Sequence, residues 1–136
     1  MRIIVPLVFA AFATAGMAWA DTASTTAPPA APFAQVSKLV ALPDFIPGLG
    51  TLYVDPASLP AGPFLAYDHD GKLSATVYMV PLDDLKNGRD FNDLPLGEDR
   101  VTSIDIYYNA GHPGVEKPHA HVVLYHDAGA RDRLAQ

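Results

Sequence analysis

Apolar and polar residues alternate with a period of two along two stretches of this chain. In the first, Leu73, Ala75, Val77 and Met79 fall on one side, and Lys72, Ser74 and Thr76 on the other. In the second, Val101 to Tyr108, the residues Ile104, Ile106 and Tyr108 share a side. Successive side chains of a strand point to opposite faces, so this period predicts half-buried strands at 72–80 and 101–108. Asp70-Gly71 stands just before the first stretch. Both residues tolerate positive φ, so 63–68 and 72–80 read as the arms of a hairpin. "GTLYVD" predicts a strand at 50–54 and "HAHVVLYH" another at 119–126. Pro43, Pro47, Pro56, Pro60 and Pro63 rule out a long helix between them and keep any strand there short or at an edge.

Helical signals are local. Pro81 suits a first helical position, Asp83 and Asp84 complement the positive end, and Gly88 can close the element, which predicts a helix near 81–87. Phe33, Val36 and Leu39/Val40 fit either one or two helical turns or a strand before Pro43. The predicted fold is mainly β with a minor α component: an antiparallel sheet or small, partly open barrel with one or two short helices. It occupies a single domain at 33–128, followed by a polar tail at 129–136.

The beginning of the chain alters this picture. Arg2, the apolar run Ile3 to Ala13 and the small-x-small triplet Ala18-Trp19-Ala20 form the pattern of a secretory signal peptide over 1–20. The run is too short to span a bilayer, so the expectation is a periplasmic or secreted protein with no membrane partner after cleavage. Residues 21–32 are mostly Ala, Thr and Pro and read as a flexible tether. The formal charge of −6 becomes −7 without Arg2, and no basic cluster is present, which argues against nucleic acid as a partner. The chain has no cysteine, which excludes thiol catalysis and thiolate metal sites. No nucleophile elbow or phosphate loop occurs.

Chemistry concentrates in "GHPGVEKPHAHVVLYH", Gly111 to His126, which holds four of the five histidines. His119 and His121 lie two apart on a strand, so both leave the same face with Cα atoms roughly 6.6 Å apart. If the loop carrying His112 folds back over that strand, three neutral imidazoles meet, and imidazole suits zinc or copper. Two other readings stay open: histidines that only hydrogen-bond the backbone, and acid–base chemistry. His126 is an odd number of residues from His121 and falls on the opposite face. His69 reads as a hairpin-tip residue, with Asp68 and Asp70 as solvated turn acids. Asp105 is either an edge-facing acid or, like Glu116, a group that orients an imidazole. The six tyrosines read as core and sheet-surface aromatics.

"NAGHPGVEKPHAHVVLY" resembles a family of exported bacterial proteins of unknown function that share a Gly-His-x-Pro-Gly-Val…Pro-His pattern near the C-terminus. Asn109, Gly111, His112, Gly114, Val115, Pro118, His119 and Tyr125 match it. His121 stands where that pattern has Asp, and Val123 where it has a second strand His. The resemblance implies an exported β-rich domain and assigns no catalytic residue. The functional expectation is a small exported domain binding a divalent transition metal through His112, His119 and His121. One alternative is a non-catalytic interaction module forming a homo-oligomer through the Leu42–Pro63 segment and the tyrosine-rich strands. The other is a metal-dependent enzyme of unknown substrate.

Overall fold

A computed structural model of the protein describes residues 25–136, so the signal peptide expected at 1–20 and the start of the tether, 21–24, lie outside the described residues. Strands β1 (Ala34–Gln35), β2 (Thr51–Val54), β3 (Phe64–Tyr67), β4 (Leu73–Pro81), β5 (Ser103–Asn109) and β6 (His119–Tyr125) form one sheet. Every pairing is antiparallel and the spatial order is β1-β2-β3-β4-β6-β5. The sheet is open, and the two helices, α1 (Leu82–Lys86) and α2 (Ala130–Ala135), are short. The fold is therefore mainly β with minor helix, as the alternation predicts. The ambiguous stretch after Phe33 is both things at once: β1 runs directly into a 3₁₀ turn at Val36–Lys38.

β6 enters between β4 and β5, and this insertion organises the rest. β4 leaves through α1, the chain crosses to the edge as β5, and β6 returns to pair with both. β4 is buried over its whole length. On one face Val54, Phe64, Ala75, Val77, Met79 and Val123 pack beneath Val36, Leu49, Val115 and Leu134. The expected shared face of Leu73 with Ala75 does not hold, since Leu73 packs with Leu65 and Tyr67 in a separate cluster. The pairing of β3 with β4 shifts between Ala66 and Tyr67, so two residues of β4 answer one of β3 and Leu73 is turned over.

The connection 87–102 covers the other face of β4. The Tyr78 hydroxyl donates to the Pro95 carbonyl. Gly97 N–H donates to Thr76 Oγ1 at 2.9 Å, and the Thr76 hydroxyl lies 2.8 Å from His126 Nε2. His126 Nδ1, 2.6 Å from the Arg100 carbonyl, must carry the proton and donate, because a carbonyl only accepts. His126 thus lies opposite His121, as strand parity predicts, and fastens this connection to the sheet.

Two end segments depart from expectation. Residues 129–136, expected to be a polar tail outside the domain, contain α2, whose Ala130 and Leu134 are fully buried. Spaced four apart, they share one helix face against the core, a signal hidden by the charged residues between them. Residues 25–32 are not a free tether either. Leu73 N–H donates to the Thr25 carbonyl, Ala27 N–H donates to the Gly71 carbonyl, and Pro29 is buried. Backbone pairing of this kind needs no large apolar side chain, so composition does not reveal it.

Arg133 of α2 ties the last helix to the hairpin. Its Nε donates to Asp68 at 2.8 Å and its Nη2 to Asp127 at 2.7 Å. Asp68, expected to be solvated, is 5% exposed. Burial alone would raise its pKa, but donors from Lys72 N–H, Arg133 and Asp70 N–H outweigh burial and hold the carboxyl below the ordinary range. The Arg133 hydrogen bond holds Asp127 far below it as well. Both carboxyls have depressed folded-state pKa values, so their stabilisation is complete above the unfolded value of about 4 and is lost as pH falls below it. Arg133→Gln should cost about 1–3 kcal/mol at pH 7 by urea unfolding. The gap from wild type should close progressively below about pH 4; a gap independent of pH would contradict this account.

Candidate metal centre

His119 and His121 project from the first half of β6 onto the core side of the sheet, and both are buried. The register sets their neighbours: His119 lies between Pro81 and Asn109, and His121 between Met79 and Tyr107. The loop 110–118 brings the third imidazole over them. His112 and Val115 exchange backbone hydrogen bonds at 3.0 Å each. Pro113 and Gly114 (φ +89°) hold the two central places, the residues a type II turn favours there. Val115, 4% exposed, anchors the turn in the core. At Gly111 (φ +128°) a Cβ would collide with the Glu116 carbonyl oxygen, so only glycine permits this close return of the chain.

The three Nε2 atoms converge. His119 to His121 is 2.9 Å, His119 to His112 is 3.2 Å, and His112 to His121 is 3.4 Å. Tetrahedral coordination at 2.0–2.1 Å places ligand nitrogens about 3.3 Å apart, so the spacing suits one ion with little movement. Each Nδ1 is occupied elsewhere. His119 Nδ1 lies 2.7 Å from the Lys117 carbonyl and His112 Nδ1 3.0 Å from the Pro113 carbonyl. Carbonyls only accept, so these Nδ1 atoms carry the protons and both Nε2 atoms present bare lone pairs. His121 Nδ1 is 3.2 Å from the Tyr107 hydroxyl, which accepts from it when Nε2 binds an ion.

The bare Nε2 lone pairs of His112 and His119, 3.2 Å apart, repel unless a proton or a cation lies between them. Protonation is a poor substitute here. Burial, then the neighbouring His119 and His112, depress His121 to about 4, and burial lowers His119 as well. The cluster is therefore neutral near pH 7 at His119 and His121, the state a metal ligand requires. Among the described residues, this is the one group of three or more His or carboxylate ligands with a common focus.

The structure separates the remaining candidates. His69 is at the hairpin tip, stacked on Phe45 at 3.7 Å, with Nε2 2.9 Å from the Gln136 carbonyl oxygen. Asp105 is engaged by Arg131 and by the Tyr125 hydroxyl rather than by an imidazole. Glu116 is exposed, and the acceptors that orient the rings are two backbone carbonyls and Tyr107. Tyr107, whose hydroxyl meets His121 Nδ1 at 3.2 Å, is the site residue that the sequence reading missed. Burial, then Tyr125 and Asp105, raise its pKa and keep it a phenol.

The hypothetical protein TTHB210 from Thermus thermophilus has a crystal structure that superposes on this one with a TM-score of 0.61. The two are 43% identical, and the match covers 70% of this chain and 94% of that one. The chain belongs to the family of that hypothetical protein. No family model matches it, and no curated protein does.

Tyr107→Phe removes the acceptor for His121 Nδ1 and leaves the three ligands in place. Zinc affinity, read by competition with a chromophoric chelator, should fall about 10-fold or more. An unchanged affinity would show that the Tyr107 hydroxyl does not orient the ring.

Proposed function

We propose that the protein is a periplasmic or secreted metal-binding domain that holds one divalent transition ion on Nε2 of His112, His119 and His121. The observation carrying this reading is the convergence of three buried or half-buried Nε2 atoms whose opposite ring nitrogens each face an oxygen. A hydrogen-bonding role alone does not account for it, since two of the rings direct unprotonated nitrogens at each other. Imidazole ligands favour zinc or copper. Three protein ligands leave a fourth position for water or another donor. Native mass spectrometry of chelator-stripped, reloaded protein should show one bound ion. His119→Ala/His121→Ala should bind none, and retention of the ion by that variant would place the site elsewhere.

A second reading, self-association, rests on a different feature. β5 is an edge strand whose Ile104, Ile106 and Tyr108 are 52%, 69% and 65% exposed. It carries no Lys or Pro, the residues that commonly protect an edge. Its sequence permits antiparallel pairing with a second copy about a two-fold axis at Ile106, which would satisfy the free backbone edge and set the two Ile106 side chains against each other. Sedimentation velocity of metal-free protein should then show a concentration-dependent oligomer that Ile106→Lys dissociates. A wild type that stays monomeric at all concentrations refutes it.

A further inference from the structure

The histidine cluster does not face solvent alone. The imidazoles of His112 and His121 stand in the wall of a cavity of about 310 Å³, together with Tyr107 and Asn109. The rest of the lining is apolar: Val40, Leu42, Leu52, Val54, Phe64 and Met79 are representative. Among the described residues, no Asp, Glu, Lys or Arg contributes to it. A solvent-filled cleft serving only to admit an ion has no need of such a lining. Apolar cavities of this kind are poor hosts for water and good hosts for hydrocarbon.

Size and charge define the occupant. At about 30 Å³ per water-sized group, the space holds about ten non-hydrogen atoms. A divalent ion on three neutral imidazoles keeps its full double charge, and no lining carboxylate offsets it. The fourth ligand is therefore preferentially an anion, supplied by whatever enters the cavity. We infer that the site binds a small amphiphile, an anionic head such as a carboxylate completing the metal's coordination and an apolar tail of about seven carbons filling the cavity. This inference rests on the metal-binding reading above and adds the ligand class to it.

Octanoate is the probe that fits, with acetate as the head group alone. Zinc loading is first verified by native mass spectrometry, and both carboxylates are then titrated calorimetrically. Full burial of a methylene is worth about fourfold in affinity, so octanoate should bind zinc-loaded protein at least about 100-fold more tightly than acetate. Metal-free protein should bind octanoate at least about 10-fold more weakly than zinc-loaded protein. Ile46→Trp, which enlarges a lining side chain outside the His112 turn and its Val40 contact, should keep zinc and lose octanoate. Wild-type protein that holds zinc yet binds octanoate no better than acetate overturns the inference while leaving the metal site standing. So does a zinc-loaded Ile46→Trp variant with undiminished octanoate affinity. Failure of the wild type to take up zinc overturns the metal reading, and this inference with it. The comparison of the two carboxylates on wild type decides the question alone if Ile46→Trp does not fold.

Discussion

The position of β6 between β4 and β5 is the constraint on which the rest of this structure depends. An inner strand has both its ladders satisfied and cannot slide by one residue without turning every side chain over. Its register places His119 and His121 on the core side, with Tyr107 directly across from His121. The same parity sends His126 to the other face, where it fastens the 87–102 connection through Thr76 and the Arg100 carbonyl. A single strand thus holds two candidate ligand side chains on one face and secures the cover on the other.

Rigid placement matters because the cluster is electrostatically unfavourable when it holds no cation. Bringing the bare lone pairs of His112 and His119 within 3.2 Å of one another costs energy that the surrounding fold must supply. The Nδ1 hydrogen bonds, the burial of Val115 and the His112–Val115 turn provide that support, each fixing a ring or its loop. Such preorganisation leaves little for an ion to rearrange on arrival.

Much of this was readable from residue order, and the limits of that reading are physical. Strand parity alone puts His119 and His121 together and His126 apart. The Pro113-Gly114 turn signals the fold-back of His112. Tyr107 could not be assigned as an orienting residue, because its meeting with His121 depends on a pairing register between strands separated by a loop. The Lys117 and Pro113 carbonyls carry no side-chain signature at all. The Arg131–Asp105 pair and the burial of Leu134 depend on where α2 docks, and the local pattern of charge points the other way. The cavity is made of ordinary aliphatic residues whose shared boundary exists only in three dimensions.

The loop that carries His112 has a consequence for the rate at which an ion would come and go. Two ligands ride on an inner strand that moves only when the sheet unfolds, whereas the third rides on a turn held by one valine and a pair of backbone hydrogen bonds. Dissociation of a bound ion would therefore have a natural order: His112 would detach first, leaving the ion on the two strand histidines to escape or be recaptured. The lifetime of such a bound state would follow how often Val115 leaves the core, and the equilibrium affinity all three rings together. Gly114 lies against Val40, where a Cβ would be 3.1 Å from the valine methyl, so the hinge of that exchange is also a wall of the cavity. A molecule filling the cavity would press on the same contact, and residence time would then change without any alteration of the ligand set.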